Sequence, residues 1–208
     1  MKSFLIADDH AVVRQGLSLI LNDMYHNPII YQVGMLDEIL EVIQVQIIDV
    51  LILDIAFPEG DSIHVVQEAK KIQPNLKVLV FSAYDEEIYA LRYLNRGADG
   101  YLSKLSPDDI IRTAISSIVR EGKYVSDKTK EKAFLSYVKG ESLNELEQLS
   151  NKEIEIARLL IKGYGNLEIS NILGIQKSTV STYKSRIFEK LSIDNVVDLL
   201  QIFKSNNY

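Results

Sequence analysis

Over residues 1–121 the chain alternates five times between short apolar runs and longer amphipathic stretches. The runs are SFLIA (3–7), IIYQVG (29–34), DVLILD (49–54), KVLVFSA (77–83) and DGYLS (99–103). Short continuous runs rich in branched side chains read as strands buried on both faces, the pattern of a parallel sheet. Between them Val12, Val13, Leu17, Leu19 and Ile20 recur at helical spacing, as do Ile63, Val65, Val66, Ala69 and Ile72. Pro74 should end the second of these helices. SPDDI at 106–110 should open another, with Ser106 as N-cap and Pro107 at the first helical position. Strict alternation of strand and helix predicts an α/β domain with a doubly wound, five-stranded parallel sheet.

Ligands of such sheets gather beyond the carboxyl ends of the strands. The first run ends in Asp8 and Asp9, the third in Asp54, the fourth in Ser82 and the fifth in Ser103 and Lys104. An aspartate closing LILD and followed by Pro58 could by itself be a turn or cap residue. Three carboxylates brought to one edge repel one another unless a cation sits among them. Hard oxygen ligands with open positions suit Mg²⁺, and a lysine and a hydroxyl beside the ion suit a phosphoryl group. An aspartate there can also act as nucleophile and carry the phosphoryl group as an acyl phosphate. His10 follows the acid pair and reads as a cap or surface residue rather than a ligand. Tyr84 and Tyr89 read as covers of the sheet edge.

The character changes after Gly122. SDKTKEKAFLSYVKG (126–140) can form a helix, whereas GESLNELEQ (140–148) has little to bury, so 123–148 reads as a linker. The last sixty residues are helical throughout. Ser150 and Glu153 fit a capping box opening a helix over Lys152–Lys162 that Gly163 ends. A short helix near Leu167–Leu173, Gly174, a helix from about Ser178 to Leu191 and a closing helix Val196–Phe203 follow. Two short helices joined by a tight turn make a helix-turn-helix, so 149–208 is expected to be a small all-α domain.

The net charge of −6 is unevenly spread: 149–208 holds 8 Lys/Arg against 6 Asp/Glu, and the remainder is strongly acidic. Such asymmetry predicts two domains with different partners. The chain has no cysteine, which excludes disulfides, thiolate metal sites and cysteine nucleophiles. MKSFLIADDH has too few apolar residues for a signal peptide, and no run reaches the length of a membrane span, so a cytoplasmic protein without membrane contact is expected.

ADDH, LILDIAFP, FSAY and GYLSK resemble, in order and spacing, the receiver domain of two-component response regulators, which is flavodoxin-like. LSNKEIEIARLLIKGYGNLEISNILGIQKSTVSTYKSRIFEKL resembles the DNA-binding domain of the LuxR/NarL/FixJ class. Together the resemblances cover nearly the whole chain and imply domains at 1–122 and 149–208. They imply Asp54 as phosphoacceptor for a sensor histidine kinase or a small phosphodonor. Mg²⁺ would be held by Asp8, Asp9, Asp54 and the carbonyl of Ala56, with Asp9 a direct ligand and Asp8 acting through water. Lys104 would pair with the phosphoryl oxygens, Ser82 would donate its hydroxyl to them, and Tyr101 would change position with that serine. Ser62 departs from the glycine frequent in the loop after the phosphoacceptor, and Ala56 from the polar residue many receivers carry.

On the third C-terminal helix Val180, Tyr183, Ile187 and Leu191 share one face, expected to be core. The opposite face carries Ser181, Thr182, Ser185 and Arg186, with Lys177, Ser178 and Thr179 at the helix start and Lys184 and Lys190 on its flanks. Such a face suits the major groove, where Ser and Thr can bond to several bases and Lys and Arg hold phosphates. Leu167 stands where the class usually has a polar or basic residue, and Gln176 where a capping serine or threonine is common. The expected protein is a DNA-binding transcription regulator, not an enzyme, that dimerises when phosphorylated. A phosphatase forming an aspartyl phosphate is the main rival. It would normally carry a second acid at Ala56. A phosphate-independent regulator with a vestigial receiver is the other.

Overall fold

The computed structural model describes residues 2–138 and 145–205. The chain divides into two compact units, Met1–Leu135 and Ser136–Tyr208.

The first unit contains a five-stranded sheet of β1 (Ser3–Ala7), β2 (Ile29–Val33), β3 (Val50–Leu53), β6 (Lys77–Ser82) and β7 (Gly100–Ser103). Their order is β2-β1-β3-β6-β7, and every pairing is parallel. The sheet grows outward in opposite directions from β1 and β3, and that reversal creates the crevice in which such folds bind ligands. The central strands are buried throughout because helices cover both faces, which is why their sequences are unbroken apolar runs rather than alternating ones. The helices are α1 (Ala11–Met24), α2 (Leu36–Val45), α3 (Ile63–Ile72), α4 (Glu86–Asn95) and α5 (Asp108–Glu121). Phe4, Ile6, Leu17, Leu21, Ile52, Leu79, Ile115 and Ile118 belong to one packed core between the sheet and α1 and α5.

Register decides the site. Ala7 pairs with Leu53, so the next residues, Asp8 and Asp54, leave the sheet side by side. Ser82 pairs with Ser103, which puts Lys104 at the same edge. After Asp54 the chain makes a two-residue ribbon, β4 (Ala56–Phe57) against β5 (Gly60–Asp61), around Pro58. Periodicity does not predict it, because two-residue strands carry too little pattern.

Helices α1 and α3 form where the spacing predicts, although not every periodic residue is buried, and one expectation, the cap of α5, is corrected. Helix α1 buries Leu17, Ser18 and Leu21, while Val12 and Leu19 point to solvent at 84 % and 72 % exposure. Ile72 of α3 is also exposed, at 39 %. Pro107 is the N-cap of α5, not its first helical residue: its ψ of 157° is extended, and the acids Asp108 and Asp109 fill the first turn instead.

After β7 and α5 comes α6 (Asp127–Val138), inside the stretch expected to be linker. Ser126 caps it, and the hydroxyls of Ser126 and Thr129 donate to Glu86 of α4. Residues 139–144, which include part of the segment expected to have little to bury, lie outside the described residues. Beyond them Leu146, in a 3-10 turn over Glu145–Gln148, and Leu149 are fully buried, so that expectation fails for its second half.

The second unit holds α7 (Asn151–Ile161), α8 (Asn166–Leu173), α9 (Lys177–Leu191) and α10 (Val196–Ser205). The capping box forms as expected: Glu153 N donates to Ser150 Oγ at 3.2 Å, and Ser150 N to Glu153 Oε2 at 2.7 Å. Gly174 ends α8 with φ +63°, a left-handed conformation that glycine adopts without strain and that turns the chain into α9. Ile154, Ala157, Ile169, Val180, Ile187, Leu199 and Phe203 form the buried interior, and Tyr183 is half-buried rather than core. Among the described residues no helix is long and apolar enough to cross a membrane.

Candidate phosphoacceptor site and nucleic-acid interface

The carboxyl edge of the sheet gathers Asp8, Asp9, Asp54, Ser82 and Lys104. Lys104 Nζ lies 2.6 Å from Asp8 Oδ2 and 2.7 Å from Asp54 Oδ2, so one ammonium bridges two buried carboxylates. Backbone amides hold the acids in place: His10 N donates to Asp8 Oδ1 (2.9 Å) and Ile55 N to Asp54 Oδ1 (2.7 Å). Arg14 on α1 reaches the carbonyl of Asp8 at 2.5 Å. Its guanidinium fits against Gly34, where an added Cβ would lie 3.2 Å from Nη1.

Burial pushes the Asp54 pKa up and Asp8 adds to it; the hydrogen bond and charge of Lys104 oppose without cancelling them. Burial works against the Lys104 ammonium, but its bonds to Asp54 and Asp8 outweigh that and raise its pKa. Lys104 is thus a fixed cation, and Asp54 a carboxylate made less comfortable by its surroundings.

Carboxylate oxygens of Asp8, Asp9 and Asp54 and a ring nitrogen of His10 lie within 4.8 Å of one another. Asp9 Oδ1 is shielded from solvent and accepts no well-aligned hydrogen bond, although His10 Nδ1 is 2.6 Å away. Three clustered carboxylates, one with an unsatisfied oxygen, fit a divalent cation. His10 is exposed and is the backbone N-cap of α1 without a side-chain cap bond; its ring faces the acids more closely than a surface role implies. Ala56 begins β4 two residues beyond Asp54 and is half-buried.

Ser62 does more than stand in for a missing glycine. It is fully buried, its hydroxyl donates to the carbonyl of Asp54 at 2.5 Å, and its N–H donates to Ile55 O at 2.9 Å. The loop after Asp54 is therefore strapped by a side chain. The available signal is a small hydroxyl residue in a turn, a role such residues take often.

Ser82 is fully buried, and Tyr84 N donates to its Oγ at 3.3 Å. Tyr101 is 1 % exposed and donates to Tyr84 O at 2.9 Å. Burial pushes its phenol far above the usual range, so it remains a donor at any working pH. Tyr84 and Tyr89, expected at the sheet edge, stack edge to face at 5.0 Å.

In the second unit α9 presents Lys177, Ser178, Ser181, Thr182, Ser185 and Arg186 to solvent, with Thr179 and Lys184 half-buried. Lys184 rests its ammonium 5.4 Å from the Phe188 ring centroid. Lys190, expected on the flank for phosphate, instead bonds Glu153 Oε2 at 2.6 Å and ties α9 to the cap of α7. Asn166, absent from the expected set, donates to Ser181 Oγ at 2.9 Å. Leu167 is 60 % exposed at the start of α8.

Residues 4–116 match the response regulator receiver domain, and residues 147–203 match the bacterial regulatory proteins of the luxR family. The chain is 33 % identical over 205 residues to the oxygen regulatory protein NreC of Staphylococcus carnosus, covering 95 % of this chain and 94 % of that protein. It is 31 % identical over 204 residues to NreC of Staphylococcus haemolyticus, with the same coverage. Among solved structures, two RcsB dimers bound to two parallel DNAs give a TM-score of 0.59 at 22 % identity over 98 % of both chains. RcsB of Salmonella enterica serovar Typhimurium, bound to promoter rprA with phosphomimetic BeF3-, gives 0.57 at 22 % identity over 99 % and 100 %. At that identity the likeness to RcsB concerns the fold.

Proposed function

Because this chain belongs to the response regulators that join a receiver domain to a LuxR-family DNA-binding domain, we propose that phosphorylation of Asp54 switches its binding to DNA. The observation that carries the reading is the Lys104 ammonium bridging Asp8 and Asp54 beside Asp9 and Ser82 at one sheet edge. A Mg²⁺ ion held by Asp8, Asp9, Asp54 and the Ala56 carbonyl would neutralise charge on the attacking carboxylate and the phosphoryl oxygens. An oxygen of Asp54 attacks phosphorus in line and the P–N bond to the donor histidine of a sensor kinase breaks, leaving an aspartyl phosphate. Lys104 exchanges its bond to Asp54 for one to a phosphoryl oxygen. Ser82 turns its hydroxyl to the same group, and Tyr101 repacks. Such a change is a shift between existing states and needs only a difference in affinity between them. A cytoplasmic location follows from that role.

The DNA-binding unit would place α9 in the major groove, with Ser181, Thr182 and Ser185 at base edges and Lys177, Lys184 and Arg186 at phosphates. Ser178 and Thr179 begin the same helix near the backbone. Dimerisation of the phosphorylated form would set two such helices on neighbouring half-sites. What the matched RcsB structures show for that protein, dimers on DNA, supports this reading.

The test is mass spectrometry after incubation with Mg²⁺ and acetyl phosphate. Wild type should gain one phosphoryl group and Asp54→Asn none. A gain in Asp54→Asn equal to that of wild type would move the acceptor elsewhere.

A further inference from the structure

Two adjacent hydroxyls on α9 are engaged with opposite polarity, and their partners follow from the local fold. A hydroxyl has one proton to donate and two lone pairs to accept with. Thr182 Oγ1 donates to the carbonyl of Ser178, one helical turn back, at 3.1 Å. That bond uses its proton and leaves lone pairs and a methyl group facing outward. Ser181 is different. Its Oγ accepts the Nδ2–H of Asn166 at 2.9 Å, and among the described residues it makes no other hydrogen bond. One lone pair is occupied, and the proton is free to point away from α8.

The partner is placed by the helix-turn-helix itself. Asn166 is the first residue of α8, directly after the N-cap Gly165, and the left-handed turn at Gly174 brings that end of α8 back across α9. A longer side chain at 181 would not be met in this way; a serine sits low enough to be reached by an asparagine from the neighbouring helix.

We infer that Asn166 is a specificity-determining residue that acts through Ser181, fixing Ser181 as a hydrogen-bond donor and leaving Thr182 as an acceptor. The inference rests on α9 being the helix that reads DNA. In the major groove guanine offers the acceptors N7 and O6, thymine the acceptor O4 and adenine both the acceptor N7 and an amino group, whereas cytosine offers an amino group alone. Ser181 therefore selects a base with an outward acceptor and discriminates against cytosine, whose edge offers none. Thr182 selects an adenine·thymine pair, whose edge carries an amino donor beside a methyl group, and rejects guanine, whose acceptors face its lone pairs. Without Asn166 the Ser181 hydroxyl rotates freely and takes either role, so the discrimination at its base pair is lost while contact is kept.

Replacing Asn166 by aspartate inverts the pair. A carboxylate only accepts, so it takes the Ser181 proton and turns the serine's lone pairs outward. The preference under Ser181 should then reverse, with cytosine accepted and guanine and thymine, whose edges carry only acceptors, disfavoured. A role confined to packing would not produce that reversal.

The experiment uses the full-length protein treated with phosphodonor and a library of randomised duplexes, with enrichment read at each position for wild type, Asn166→Ala, Asn166→Asp, Ser181→Ala, Thr182→Val and Asn166→Ala/Ser181→Ala. Binding to random duplex at low salt reports that each variant is folded. Asn166→Ala and Ser181→Ala should relax the same single position about tenfold, the double variant should do no more than Ser181→Ala, and Asn166→Asp should invert the preference there. Thr182→Val should relax a neighbouring position whatever stands at 166. Retention of wild-type preference by both Asn166 variants, while Ser181→Ala alters it, would overturn the inference and leave the DNA-reading helix standing. No change of preference in any variant would overturn both.

Discussion

Asp54 is 5 % exposed, and its carboxylate shares one ammonium with Asp8. Burial raises its pKa in the folded protein above the ordinary 3.8. For an acid raised in this way the charged form is disfavoured by folding. The cost is absent below the unfolded value, grows as pH rises through the two values, and is complete above the folded one. Asp54→Asn should therefore raise the melting temperature at pH 7 in EDTA, and the gain should shrink towards zero near pH 4. A constant gain at both pH values would mean that shape, not charge, sets it. Ser62 gives a second residue-scale expectation. Ser62→Ala leaves the buried carbonyl of Asp54 without its 2.5 Å donor and should cost about 1–3 kcal/mol in urea unfolding. It should also slow phosphorylation, since the loop carrying Ala56 loses its strap. Legibility at this scale is uneven. Asp8, Asp9, Asp54, Ser82 and Lys104 stand out by type and place, whereas Ser62 and Asn166 carry ordinary polar side chains whose partners are 8 and 15 residues away.

Elements repeat the contrast. The five long strands and the helices of the C-terminal half are legible because period and capping are properties of neighbouring residues. The Ser150–Glu153 box is the clearest case, and Ser150→Ala should cost about 1 kcal/mol of the second unit's stability by removing the acceptor for Glu153 N. Leu146 is the counterexample: its segment looks polar, but the side chain is fully buried. A fragment beginning at 145 should therefore be more stable than one beginning at 149 by about 2 kcal/mol, the worth of burying one leucine, as measured by thermal or urea unfolding. Equal stability would mean that Leu146 finds no better place in the fold than in water.

For the whole molecule the expectation concerns coupling. Phosphorylated wild type should shift towards a dimer in light scattering and bind operator DNA more tightly in titrations on the same samples. Linking two weak contacts raises affinity without a new contact to DNA. Half-sites should lie about 10 base pairs apart, centre to centre, and binding should fall steeply with salt because phosphate contacts dominate it. An unphosphorylated Asp54→Asn protein that dimerised and bound as tightly would remove Asp54 from control.

Sequence by itself determined the elements, their β/α alternation and the residue types at the strand ends, since these depend on local period and on chemistry carried by single side chains. It also determined the family, through motifs that lie in short windows. Tertiary structure alone decided which of these residues touch. Whether Lys104 meets Asp8 as well as Asp54, whether Lys190 holds Glu153 instead of staying free, and whether Ser181 gives or receives a hydrogen bond depend on strand register and helix crossing. Those are settled by how the buried faces fit together, and a hydrogen bond needs its partner within about 3 Å, closer than any spacing along the chain can specify.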